Sequence, residues 1–233
     1  MSLLSARGLT RHFGGLKAVH EVDFDLEAGE IHALIGPNGA GKTTFVGLLC
    51  GRVPVQAGQI VLAGEDITRL PAHKRVQKGI AYTFQITSIY GRLSVWDNVA
   101  LAVQSRGAPD LDAAAAAALE RVGLEAMAGQ EAGTLSYGHQ RLLEVAMGLA
   151  LEPRVLILDE PTQGLANAEI AAFKALVRAV VPETTVLLIE HNMDVVMDLA
   201  ERITVLDFGQ VLASGTPSEI RANPAVQAAY LGG

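Results

Sequence analysis

A chain of 233 residues, half of them hydrophobic, has ample length to bury a core and cannot be a disordered tail. Its formal net charge of −7 argues against a nucleic-acid backbone as main partner, and its single cysteine, Cys50, excludes an internal disulfide. The opening Met-Ser-Leu-Leu-Ser-Ala-Arg-Gly lacks the pattern of a secretory leader, and apolar runs such as 142–151 and 185–189 are short or interrupted by Glu144 and Glu190, so a cytosolic chain that does not cross a bilayer unaided is expected.

Residues 3–27 show strand patterning, with Val19, Val22, Phe24 and Leu26 mostly alternating against polar partners before the turn Glu27-Ala28-Gly29. A small antiparallel sheet is predicted, with Phe13 beside Gly14-Gly15 reading as a core or edge aromatic. A short apolar run, 31–35, then reads as a buried strand, followed by the glycine-rich turn Gly36-Pro37-Asn38-Gly39-Ala40-Gly41 and a run of helical spacing from Thr43.

Gly36, Gly41, Lys42 and Thr43 fit the phosphate-binding P-loop pattern, whose glycines let backbone N–H groups turn inward around phosphate oxygens. The helix aims its positive end at the same anion. Lys42 would reach the β- and γ-phosphates and the Thr43 hydroxyl would complete a Mg²⁺ shell, so the expected ligand is a nucleoside triphosphate with magnesium.

Beyond this helix, 59–64 reads as a strand, 72–78 as a short helix and 80–84 as a β-rich run that opens into a loop at Gln85. Helical spacing takes over from Ser94 to Leu124, where Val95, Val99 and Val103 recur and the alanine-rich stretch 112–121 is a strong helix former. Gly107-Ala108-Pro109 marks the loop between two helices. Ser136 is placed as an N-cap before a helix over 141–151.

Val155-Leu156-Ile157-Leu158 then runs straight into Asp159-Glu160, a buried strand with acids at its C-terminal end, where open α/β sheets place their ligands. In a chain with a P-loop, Asp159 would hold Mg²⁺ and Glu160 would accept a proton from the attacking water. A helix over 168–180, a strand over 185–189 ending at Glu190-His191, a helix over 192–199 and a strand over 203–206 continue the pattern; short helices broken by Pro217 and Pro224 end it. No linker divides the chain, which is expected to be a single domain over 1–233.

In this order, the P-loop at 36–44, Gln85 after a strand, Leu135-Ser136-Tyr137-Gly138-His139-Gln140, the acid pair at 159–160 and His191 resemble the ATP-binding cassette (ABC) ATPases. The fold this resemblance implies is α/β: a P-loop NTPase with a RecA-like parallel core, an antiparallel β subdomain and an α-helical signature subdomain inserted at about 87–150. ATP and Mg²⁺ are the implied cofactors. Phe13 would stack on adenine; Gly36, Pro37, Asn38, Gly39, Ala40, Gly41, Lys42, Thr43 and Thr44 would cradle the phosphates. Thr43, Gln85 and Asp159 would serve the metal, and Glu160, His191 and Gln85 the hydrolysis.

The resemblance further implies a head-to-tail dimer, with an identical or sister chain, in which Ser136 and Gly138 face a γ-phosphate held by the partner. Three positions depart from the family pattern. Tyr137 and His139 replace the usual Gly and Gln of the signature, and Ala166 stands where many members carry Asp. Communication between the dimer's two sites is therefore expected to differ.

Finer likeness lies in 13–19, 66–74, Thr83-Phe84-Gln85 and the tail 223–232, which are similar to the ATP-binding subunits of branched-chain amino-acid importers and related urea or amide systems. Such a subunit would sit on the inner face of the membrane through separate permease subunits, served indirectly by a periplasmic or extracellular solute-binding protein. The loop 86–93, with Ile89, Tyr90 and Leu93, is the expected permease-docking surface, while Trp96 reads as core or interface. An ABC ATPase serving a non-transport assembly scaffold is the second possibility.

Overall fold

The computed structural model describes residues 2–84, 87–181 and 183–231, and side chains up to residue 229. It divides into two compact units, residues 1–78 with 185–233, and residues 79–184.

In the first unit, strands β1 (Ser2–Phe13) and β2 (Leu16–Glu27) form an antiparallel pair, as the alternation of apolar residues predicts. Leu4, Ala6 and Leu9 on one strand and Val19, Val22, Phe24 and Leu26 on the other are buried. Strand β3 (Ile31–Ile35) is buried at every residue and runs into the glycine-rich loop, which opens helix α1 (Lys42–Leu49). Strands β4 (Ala57–Leu62) and β5 (Glu65–Asp66) extend the antiparallel sheet in the order β2-β1-β4-β5. Helix α2 (Ala72–Gln77) closes this part of the unit. Its Arg75 is 1% exposed and donates to the carbonyls of Leu48 and Leu49 at 2.7 and 2.8 Å, so a cation caps the negative end of the P-loop helix.

The second unit opens with β6 (Ile80–Tyr82), which ends two residues earlier than the β-rich run in the sequence suggests. Helix α3 (Val95–Arg106) starts at a capping box of Ser94 and Asp97 and stops at Gly107, whose φ of 74° few other residues adopt. Helix α4 (Leu111–Val122) starts at Asp110, which accepts from the Ala113 N–H. The alanine run is the packing surface of this helix, with Ala115, Ala118 and Leu119 buried.

Helix α5 (Tyr137–Ala150) begins four residues before the predicted start, because Ser136 caps it directly through the His139 N–H at 3.3 Å. Strand β7 (Val155–Asp159) pairs in parallel with β6, and helix α6 (Asn167–Val180) follows. The four apolar side chains of β7 are fully buried, each stabilising the unit by about 1.5–3 kcal/mol. The helical insertion expected over 87–150 falls inside this unit.

The chain then returns to the first unit with β8 (Thr185–Ile189), α7 (Met193–Leu199), β9 (Arg202–Asp207), β10 (Gln210–Gly215), α8 (Pro217–Ala222) and α9 (Pro224–Leu231). Strand β3 lies between β8 and β9, parallel to both, and β10 adds an antiparallel edge. Ala33, Ile35, Val196, Ile203, Val205, Ile220 and Val226 pack as one apolar cluster behind this sheet. Parallel strands buried on both faces explain why β3 and β8 read as mainly apolar runs, with His32 and Thr185 their buried polar exceptions.

Candidate functional site

The first unit gathers the P-loop, Phe13 and His191. Gly36, at φ 153°, leaves β3 so close to β9 that a β-carbon there would lie 2.2 Å from the Leu206 carbonyl. Gly41, at φ 100°, packs against β2, and a β-carbon there would meet the Ala18 carbonyl at 2.1 Å. Both glycines are thus imposed by backbone packing as well as by the inward turn of the loop. The Lys42 ammonium, 8% exposed, donates to the carbonyls of Gly36 and Pro37 at 2.6 and 3.0 Å, which folds its side chain back along the loop. Asn38, Gly39 and Thr43 are exposed, Pro37 and Thr44 half-buried and Ala40 buried.

Phe13 is 46% exposed at the end of β1, with the Arg11 guanidinium 4.7 Å from its ring centroid. Of the two readings, core or edge aromatic, its exposure fits the edge. His191 is exposed and follows β8, whose Ile189 pairs with Leu34 just before the P-loop. The buried Glu190 carboxylate accepts the N–H groups of His191 and Asn192 at 2.9 and 3.1 Å, fixing the turn that presents His191.

The second unit holds the acid pair and the signature segment. Asp159 is 6% exposed, and one of its oxygens accepts the Tyr82 hydroxyl at 2.6 Å. Glu160, half-buried, has φ 48°, a left-handed conformation that non-glycine residues adopt at a cost of about 1–3 kcal/mol. Its Pro161-Thr162 continuation is buried. Ser136 is exposed at the N-terminus of α5, and Gly138 is buried. A β-carbon on Gly138 would lie 2.2 Å from a carboxylate oxygen of Glu169, the same carboxylate that accepts the Ala166 N–H at 2.8 Å. Ala166 has no side-chain oxygen to cap α6, and Glu169 supplies the bond from inside the helix. Gln85 lies outside the described residues.

Several residues that the motifs do not reveal complete this half. Thr83 offers its hydroxyl to the Asp159 N–H at 3.4 Å. Arg141 is 1% exposed and Glu144 4%; they bond at 2.9 Å within one helix. Burial pushes the Glu144 carboxyl above its ordinary value, against the pull of the Phe84 N–H and of Arg141. The available signal was Glu144 itself, a charge interrupting an otherwise apolar run with an arginine three residues before it. Tyr82 carried no signal, because a tyrosine on a β-strand is ordinary.

Taken unit by unit, the Thr43 hydroxyl in the first and the Asp159 carboxylate in the second are oxygen donors, the ligand type that a hard divalent cation takes. Among the described residues, no helix is long and apolar enough to cross a membrane.

Comparison with known proteins gives two family matches: ABC transporter over residues 19–163, and branched-chain amino acid ATP-binding cassette transporter over residues 210–233. The chain is 41% identical to the high-affinity branched-chain amino acid transport ATP-binding protein BraF of Pseudomonas aeruginosa, over 99% of this chain and 98% of that one. It is 39% identical to LivG of Escherichia coli K12, a protein of the same description, with the same coverage. Among solved structures, the ADP conformation of MJ1267, an ATP-binding cassette of an ABC transporter, superposes with a TM-score of 0.91 at 25% identity, covering all of both chains.

Proposed function

The chain belongs to the ABC transporter family and is an ATP-binding subunit with ATPase activity and the α/β fold of a P-loop NTPase; from that premise we propose that it drives a branched-chain amino-acid importer. The observation that carries the catalytic part is the Asp159-Glu160 pair. One acid is buried at the end of β7, and the next is held at a positive φ that redirects its backbone. The amino-acid solute is supported by the match over residues 210–233 and by the names of BraF and LivG. These relatives lend no support to a non-transport scaffold.

In this reading Phe13 stacks on adenine, and the backbone of 36–44 with Lys42 binds the phosphates. Thr43, Asp159 and Gln85 would hold magnesium, which would supply charge neutralisation to the triphosphate when bound. Glu160 accepts the proton of the attacking water, and His191 contacts the γ-phosphate. Ser136 and the Gly138 N–H bind the γ-phosphate of a second protomer, identical or sister, so that ATP closes a dimer and hydrolysis reopens it.

The subunit works at the inner face of the membrane, docked on permease subunits through the loop that ends at Leu93. Tyr90 is 59% exposed there, and the buried Asn98 side chain fixes the loop by accepting the Tyr90 N–H at 2.7 Å and donating to the carbonyls of Tyr90 and Ser94. Proteoliposomes containing the chain, the two permeases and the binding protein of a branched-chain amino-acid system test the proposal. Leucine-stimulated ATP hydrolysis that Tyr90→Ala weakens is expected; stimulation by urea or amides but not by leucine would overturn the solute.

A further inference from the structure

Tyr137, Arg141 and Glu144 share one face of α5 at spacings i, i+4 and i+7, and all three reach main-chain groups or glycine surface outside their own helix. One guanidinium nitrogen of Arg141 donates to the Phe84 carbonyl at 2.5 Å and to Glu144 at 2.9 Å, and the other donates to the Glu160 carbonyl at 3.4 Å. Glu144 in turn accepts the Phe84 N–H at 2.8 Å and the Ser88 N–H at 3.4 Å. The pair therefore holds both the N–H and the carbonyl of the residue before Gln85, together with the carbonyl of Glu160. The Tyr137 ring lies 5.9 Å from the Arg141 guanidinium carbon and packs on Gly164, where a β-carbon would come within 3.1 Å of the ring. Gly164 has φ 79° in the loop that follows Glu160.

A buried ion pair is a poor way to stabilise a helix, since apolar side chains of equal volume commonly do as well or better. What apolar side chains cannot do is hold specified backbone donors and acceptors of two loops. We propose that Tyr137, Arg141 and Glu144 are positioning residues for ATP hydrolysis: they set the backbone flanking Gln85, and the loop carrying Glu160, in register with the signature segment. Tyr137 is then no neutral departure from the family pattern. Its ring ties the signature segment to the loop whose usual Asp is replaced by Ala166. The inference rests on the assignment of Glu160 as the proton acceptor.

The test compares Tyr137→Gly, Arg141→Lys and Glu144→Gln in steady-state ATP hydrolysis, in binding of a fluorescent ATP analogue and in amide exchange. Arg141→Lys and Glu144→Gln should lower kcat about ten- to hundredfold, the scale of a small displacement of reacting groups. Tyr137→Gly should lower it about three- to tenfold, with nucleotide Kd in all three within about threefold of the parent. The Phe84 and Ser88 amides should exchange faster in Glu144→Gln while those of β7 keep their protection.

Unchanged kcat would overturn the proposal, as would kcat falling together with loss of nucleotide binding and of β7 protection. Should the buried variants fail to fold, Tyr137→Gly decides alone, because its side chain is 43% exposed and leaves the ion pair intact. Glu160→Gln is measured alongside; hydrolysis by it at the parent rate refutes the Glu160 assignment, whatever the three variants do.

Discussion

The two units do their chemistry with different materials. In the first, the proposed phosphate cradle is backbone: Gly36 and Gly41 are pressed against the carbonyls of Leu206 and Ala18, and Lys42 is folded back onto the Gly36 carbonyl. In the second, the work falls to buried polar side chains. Asp159, Tyr82, Arg141 and Glu144 are positioned by bonds to residues that are 77, 57 or 60 positions away in the chain. A backbone site tolerates little change in residue size and almost none in conformation. A side-chain site tolerates changes of size but not of hydrogen-bond number.

Glu160→Gln separates the two most sharply. Losing a positioned base removes about 10²–10⁴-fold of the hydrolysis rate, and nucleotide binding by the first unit should be retained; phosphate release and analogue binding measure both. Arg141→Ala should be the largest stability loss in the second unit, about 3–5 kcal/mol in urea unfolding, because it strands Glu144 in the interior. Gly41→Ala is the counterpart in the first unit. It combines a strained φ with a backbone clash, and should abolish nucleotide binding and cost about 1–3 kcal/mol. An alanine at position 41 that binds ATP normally would show that the cradle is less tightly packed than these distances indicate.

A finer contrast comes from two buried carboxylates with shifts of opposite sign. Glu30 is pushed up by burial, but the bonds from His32 and the Glu27 N–H outweigh this and hold it below its ordinary value. Its stabilisation is present above the unfolded pKa and is lost as pH falls through the lowered folded value. Glu144 is raised, chiefly by burial, so its contribution is most favourable below the unfolded pKa and declines as pH rises through the folded value. Unfolding curves collected from acid to neutral pH should therefore show Glu30→Gln and Glu144→Gln differing from the parent with slopes of opposite sign. Tyr82→Phe, the smallest effect, removes one hydrogen bond from Asp159, worth about 0.5–1.5 kcal/mol, and should shift the magnesium dependence of hydrolysis less than Asp159→Asn does.

This division also explains what could be read before the structure. Glycines and a lysine in fixed order announce a backbone cradle, since each position obeys a local rule, and the same holds for an apolar run ending in Asp159-Glu160. Ser136 is readable as a cap, yet its helix begins at Tyr137 instead of Arg141, because the signature residues are themselves the first helical turn. Tyr82, Thr83 and Arg141 were not recognisable as site residues, and Glu144 showed only as a charge interrupting an apolar run. Their roles depend on β6 pairing with β7 and on α5 packing beside Phe84, contacts that no local pattern encodes. Glu169 belongs with these residues: it falls inside the predicted helix over 168–180, but nothing local marks it as the neighbour that forbids a side chain on Gly138.

In the proposed mechanism ATP closes a dimer of this chain, or of this chain with a sister, using the signature segment of each protomer. Light scattering on Glu160→Gln, which should bind ATP without turning it over, tests it most directly. A monomer that becomes a dimer with ATP and magnesium, and fails to do so when Ser136 is also changed to Arg, is the predicted result. A chain that remains monomeric at saturating ATP, alone and when mixed with its sister subunit, would contradict the account.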